Sequence, residues 1–219
     1  MFCTDPPYGV DYSGKNEFLN KFGKGNHVQK DIENDALDAK ESMETLWVPA
    51  FSNARACSME NAAYYISSPG GELMLPVMQS IVKSGWQLKH VLIWLKNNIV
   101  LGRCDYNYKH EPILYGWNNK HKFYGNGEFT CSVWEIDKPV KNDLHPTMKP
   151  IKLIANCLPN STQENDDVLD VFGGSGSTLI ACEQLNRNCY MMELDPHYCD
   201  VIVKRWELTT GKKAERLNE

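Results

Sequence analysis

Apolar positions along the chain fall into short β-rich runs that alternate with stretches of helical spacing, the pattern of a layered α/β domain. Residues 38–57 place Leu46, Trp47, Ala50, Phe51 and Ala54 on one helical face, and Pro49 is expected to kink or interrupt that helix. Ala62–Ser67 predicts a strand, Glu72–Ser84 a helix stopped by Gly85, and Lys89–Leu95 and Pro112–Trp117 two more strands. Downstream the pattern predicts a short helix over Ile151–Leu158, a strand over Asp167–Phe172 and a helix over Ser177–Leu185. A strand over Cys189–Glu193 and a long helix over Pro196–Leu208 follow, with Ala214–Leu217 as a candidate edge strand. Met1–Thr4 is an apolar stub that reads as the tail of a shortened N-terminal strand. Two segments fall outside this alternation. Gly9–Asp35 is polar and rich in Gly, Lys and Asn, and is expected to form a mobile loop. Asn118–Asp143 mixes aromatic and basic residues and is a candidate target-recognition insert. No repeat or long linker divides the 219 residues, so a single domain over 1–219 is expected.

Composition narrows the class. With 42% hydrophobic and 23% charged residues the chain suits a globular domain rather than a disordered or fibrous one, and no apolar run approaches the roughly 18 residues of a membrane span. A cytoplasmic protein with no membrane partner is the expectation. The eight cysteines include no C-x-x-C pair, which argues against a zinc site and against a disulfide-stapled secreted domain, and no metal is expected. The net charge of -5 is uneven: residues 96–152 carry nine Lys/Arg against six Asp/Glu, a surplus of +3, so the remainder carries -8. A polyanion would therefore meet the middle of the chain.

Three motifs carry chemistry. In Asp5-Pro6-Pro7-Tyr8 the two prolines fix the backbone and remove two N–H donors, so the Pro6 carbonyl is a rigid acceptor with the Asp5 carboxylate beside it. Such a pair suits an –NH₂ group, and Tyr8 offers a face for a planar ring. Taken alone, the four residues are also a plain proline-rich turn. In the second motif an apolar strand runs into Asp170-Val171-Phe172-Gly173-Gly174-Ser175-Gly176-Ser177-Thr178 and then a helix, so backbone can approach a ligand closely. Glu193 follows 17 residues beyond Gly176, at a strand end where a carboxylate can accept both hydroxyls of a ribose. The loop lacks the G-K-[ST] of a phosphate cradle, and Leu179 replaces the third glycine of the dinucleotide fingerprint. A nucleoside without pyrophosphate fits better, and S-adenosylmethionine meets that description; structural glycines in a strand–turn–helix are the plainer alternative. The third motif, His145-Pro146-Thr147-Met148-Lys149-Pro150, reads alone as a proline-bounded turn in which Lys149 can face an anionic carboxylate.

The order of these motifs resembles the β-class DNA amino-methyltransferases, in which the catalytic motif precedes the cofactor motif. The likeness extends to Leu101–Tyr106, Lys109–Pro112, Leu114–Trp117 and Val133-Trp134-Glu135, and looks closest to phage and bacterial adenine methylases that often follow a ParB-like domain. The resemblance implies a Rossmann-like S-adenosylmethionine-dependent fold: a mostly parallel, seven-stranded sheet with helices on both faces and a circularly permuted motif order. It implies that Asp5, Pro6, Pro7 and Tyr8 hold the target base. Asp170, Phe172, Gly173, Gly174, Ser175, Gly176, Ser177, Thr178 and Glu193 would hold the methyl donor, joined by Thr147 and Lys149. The partner implied is DNA, with the base turned out of the helix. Phosphate contacts would come from Lys96, Arg103, Lys109, Lys120, Lys122, Lys138 and Lys141. The absence of a Pro-Cys dipeptide counts against the cysteine-dependent carbon-5 cytosine methylases. Methylation of a cytosine amine, action on RNA or a protein glutamine, and an inactive binding module stay open, as do a homodimer and a fused or upstream domain.

Overall fold

The computed structural model describes residues 1–8, 37–100, 105–125, 130–138 and 148–217. Seven strands form one sheet in the order β5-β3-β4-β2-β1-β6-β7. They are β1 (Phe2–Thr4), β2 (Ala63–Ser67), β3 (Gln87–Val100), β4 (Tyr108–Trp117), β5 (Val133–Glu135), β6 (Asp167–Asp170) and β7 (Asn188–Met191). Only β4 runs against its neighbours; the β1–β2, β1–β6, β6–β7 and β3–β5 pairs are parallel. The helices are α1 (Val48–Ala56), α2 (Met74–Lys83), α3 (Ile151–Ser161), α4 (Ser177–Gln184) and α5 (Pro196–Thr210).

The period-2 alternation of strand side chains divides the core into two layers. Phe2, Tyr64, Ile66 and Leu114 face one side and pack on Trp47, Phe51 and Ala54 of the α1 region, with Val77 and Ile81 of α2. Cys3, Tyr65, Ile113, Tyr115 and Val168 face the other, against Leu153, Ile154, Cys157 and Leu158 of α3 and Ala181 and Cys182 of α4. Helices thus cover both faces. This explains why β1, only three residues long, is buried throughout: it sits between β2 and β6 with no solvated side, and its one polar side chain, Thr4, is hydrogen-bonded to Asp170.

Several elements depart from the sequence-based expectation. The 38–57 helix is not interrupted at Pro49: a turn at Ala39–Glu41, capped by the Asp38 carboxylate, passes through a π-helical turn at Ser42–Trp47 into α1, which holds Pro49 in its first turn. The wider π turn accommodates a residue that has no N–H to donate and whose ring would collide with the preceding turn. Helix α3 runs through Pro159 to Ser161, and β3 is twice the predicted length, with register shifts between Leu88 and His90 and between Leu95 and Val100. Gly116 lies so close to the neighbouring strand that a Cβ would fall 1.8 Å from the Gln87 carbonyl oxygen.

Ala214–Leu217 forms no strand; the edge is supplied instead by β5, from within the segment assigned to a target-recognition insert. The Asn118–Lys120 part of that segment turns back on the start of β2, with the Asn119 and Lys120 N–H groups on the Glu60 carbonyl at 2.8 Å. Gly9–Asp35 lies outside the described residues. Among the described residues no helix is long and apolar enough to cross a membrane.

Candidate active site

The parallel strands β1, β2, β6 and β7 all end on one side of the sheet, where ligands of open α/β sheets bind. A cleft of about 520 Å³ opens there. Asp5, Pro6, Pro7 and Tyr8, which follow β1, form one wall; Asp170, Phe172, Gly173, Gly174, Ser175, Ser177 and Thr178, which follow and flank the end of β6, form another. Glu193, beyond β7, and Lys149, before α3, complete it. The two ends of the polypeptide therefore share one cavity.

The wall around the glycine loop is braced by the Asp170 carboxylate, which is 3% exposed. It accepts from Thr4 Oγ1 (2.7 Å), Thr178 Oγ1 (2.6 Å) and the Phe172 N–H (3.1 Å), joining β1, the loop and α4. Burial pushes its pKa up to about 7 against the opposing pull of those three donors. Glu193 accepts from the Gly174 N–H at 2.6 Å and the Asp195 N–H at 2.9 Å, which orients its carboxylate at the strand end. Gly173 is packed so closely that a Cβ would lie 2.7 Å from Met191 Cγ. Gly176 does not line the cleft; it adopts φ +80°, and its back meets Ile202 of α5. Its role is to turn the chain into α4.

The opposite wall is charged. Tyr8 Oη donates to Asp5 Oδ1 at 2.5 Å, and the Lys149 ammonium donates to Asp5 Oδ2 at 2.6 Å. Lys149 Nζ also lies 3.3 Å from Glu111 Oε2, and Glu111 Oε1 pairs with Lys96. Burial raises the Glu111 pKa, but the two ammonium groups outweigh it and hold the carboxyl at about 2. Burial, together with the carboxylates of Asp5 and Glu111, pushes the Tyr8 phenol well above its ordinary value. Trp47 Nε1, aimed by the π turn, donates to the Pro7 carbonyl at 2.9 Å and fixes the proline pair.

Several expected roles change in this setting. Lys96 is 4% exposed and paired with Glu111, so it cannot meet a phosphate. The Lys149 ammonium faces a carboxylate, that of Asp5, and its backbone carbonyl holds Ser177 Oγ at 2.8 Å beside the glycine loop. Lys120, paired with Glu60, and Lys122, over the Tyr124 ring, follow Trp117 at the end of the sheet where β2 begins, away from Asp5. Lys109 is exposed, and Lys138 lines the cleft. Arg103, Lys141, Thr147 and His145 lie outside the described residues. Glu111 and Trp47 were not anticipated as site residues. The signal for Glu111 lay in strand phase, since a carboxylate two residues before Ile113 and four before Tyr115 shares their buried face.

An acidic side chain at a β-strand end and a glycine loop entering a helix thus lie across one cleft from a rigid carboxylate–carbonyl pair. The chain belongs to the DNA methylase family, whose profile matches residues 1–204. It is an S-adenosylmethionine-dependent DNA amino-methyltransferase. Type II methyltransferase M2.MboI of Moraxella bovis is 26% identical, over 98% of this chain and 83% of the relative. Type II methyltransferase M2.DpnII of Streptococcus pneumoniae is 27% identical, over 94% and 82%. The fold matches that of the M1.HpyAVI–SAM complex, with TM-score 0.65 and 22% identity over 93% of this chain and 87% of that one. It also matches the cytosine-N4-specific PvuII DNA methyltransferase, with TM-score 0.72 and 15% identity over 94% and 79%.

The residues present fit S-adenosylmethionine. The loop exposes backbone at Gly173 and Gly174, Glu193 presents a carboxylate whose oxygens have lone pairs beyond the two backbone N–H groups they hold, and Phe172 offers a ring in the same wall.

Proposed function

We propose that this chain methylates the exocyclic amine of adenine at specific sites in DNA, acting on a base turned out of the duplex. The observation that carries this reading is the shared cleft, in which Asp5, Pro6 and Tyr8 face the glycine loop and Glu193. Glu193 would hold the ribose hydroxyls of the donor and Phe172–Ser177 its nucleoside. S-adenosylmethionine supplies the methyl group and a sulfur leaving group that retains the electron pair of the broken C–S bond.

The adenine amine is a weak nucleophile because its lone pair is delocalised into the ring. Asp5 and the Pro6 carbonyl would each accept one N–H, which favours the pyramidal nitrogen and directs its lone pair at the methyl carbon. The Asp5 carboxylate also holds the N–H proton that is released once the nitrogen carries four bonds. Tyr8 would return about 1–3 kcal/mol by stacking, against the few kcal/mol spent extruding a base. Phosphate contacts would come from Lys109 and Lys138, with Arg103 and Lys141 as further candidates. Nucleoside mass spectrometry of DNA incubated with the protein and labelled donor tests the reading, and methylation-sensitive sequencing then maps the site. N6-methyladenine is expected; N4-methylcytosine would transfer the proposal to the cytosine amine, as in the PvuII neighbour, and absence of label in DNA would refute it.

A further inference from the structure

Asp5, Lys149, Glu111 and Lys96 form a row of alternating charges along the base wall of the cleft. Two negative and two positive groups sum to zero, although each sits where water is largely excluded. A buried ion pair must be matched closely, because removal of one partner leaves an uncompensated charge. Asp5 and Lys149 would suffice for neutrality by themselves. Glu111 and Lys96 add a second pair, brought in by β4 and β3, and Trp94 backs it with its ring 4.9 Å from Lys96 Nζ.

We propose that Glu111 is a positioning residue for methyl transfer: by bridging the ammonium groups of Lys96 and Lys149, it holds Lys149 on Asp5 Oδ2 and so fixes which lone pairs of Asp5 face the amine. The proposal rests on the reading of Asp5 as the amine acceptor. The geometry has three parts. Tyr8 occupies Oδ1 and Lys149 occupies Oδ2, so both oxygens of Asp5 are pinned and the carboxylate cannot rotate. A lysine ammonium on a four-carbon stem has no fixed direction of its own, so it needs a second acceptor to define its place. Glu111 Oε2, 3.3 Å away, supplies it as an ion pair; the oxygen is buried and makes no hydrogen bond among the described residues, so the Lys149 ammonium is the one charge it faces at that distance. Lys96 in turn holds Oε1, which sets the Glu111 rotamer. Misplacing a reacting group by about 1 Å can cost about 100-fold in rate, so the anchoring of Lys149 bears on kcat rather than on binding.

The test is single-turnover methylation of a mapped DNA site by Glu111→Gln, read beside donor affinity by calorimetry and base extrusion by 2-aminopurine fluorescence. The single-turnover rate is expected to fall at least about tenfold, a loss of about 1.4 kcal/mol in transition-state stabilisation, with donor affinity and the fluorescence change preserved. The alkaline limb of the rate should also move to lower pH, because Lys149 loses one of the two carboxylates that stabilise its charge against burial. A wild-type rate with an unmoved limb would overturn the proposal while leaving the proposed function intact; an inactive wild type would instead refute that function. The double variant Lys96→Met/Glu111→Met guards against misfolding, because it restores charge balance while leaving Lys149 without an acceptor at position 111. Its rate should stay low. Recovery to the wild-type rate would show that Glu111 is only a counter-ion and would overturn positioning.

Discussion

Asp170 supplies the most direct test of how the glycine-loop wall is built. Its carboxylate is raised from 3.8 to about 7 by burial, so between those values the folded state binds more protons than the unfolded one. Stability from this group is then fully present below about pH 4 and is lost as pH rises through about 7. A shift of roughly 3 units at 1.36 kcal/mol each amounts to about 4 kcal/mol across that window. Asp170→Asn keeps the side-chain volume and one acceptor oxygen, which can still take the Thr4 hydroxyl and the Phe172 N–H, and the Thr178 hydroxyl can turn to accept from the new amide. The variant should carry no such limb. Urea unfolding of both proteins from pH 4 to 8, compared as a difference so that other titrating groups cancel, should show the Asn variant gaining up to about 4 kcal/mol relative to wild type with rising pH. A flat difference would refute the reasoning. A difference of opposite slope would show that the three hydrogen bonds outweigh burial and keep the carboxylate ionised at neutral pH.

Asp5→Ala should lower kcat by about 100-fold or more while leaving donor affinity in calorimetry unchanged, whereas Glu193→Ala should weaken donor affinity by about 10–100-fold, for the loss of charge-assisted hydrogen bonds. Equal effects of both on donor affinity alone would contradict the assignment of the two walls. Trp47→Phe retains the buried ring but removes the donor to the Pro7 carbonyl; thermal unfolding should register a loss of about 1 kcal/mol, and kcat should fall with donor affinity intact. Lys138→Ala should reduce the slope of log affinity for DNA against log salt by about 1, and Lys96→Met should leave that slope unchanged because its ammonium faces Glu111.

The alternation of elements, the positions of most strands and helices, and the two walls of the cleft were legible in the residues. Asp5-Pro6-Pro7-Tyr8 and the loop from Asp170 to Thr178 carry local chemistry: proline rigidity, glycine backbone and strand-end carboxylates act within a few residues of chain. Their meeting in one cavity was not local. Thr4 and Asp170 lie 166 residues apart and touch only because β1 pairs with β6, so parallel pairing made the site. The same holds for the charges. Lys96, Lys120 and Lys149 look alike in a string of letters, each a cation in a basic segment. Strand phase buried the first against Glu111, the turn after β4 carried the second to the far end of the sheet, and the approach to α3 laid the third on Asp5. Sequence alone determined which chemical groups were available and the elements they ride on. Only the tertiary structure decided which charges face one another, because that depends on sheet order and burial between residues distant along the chain.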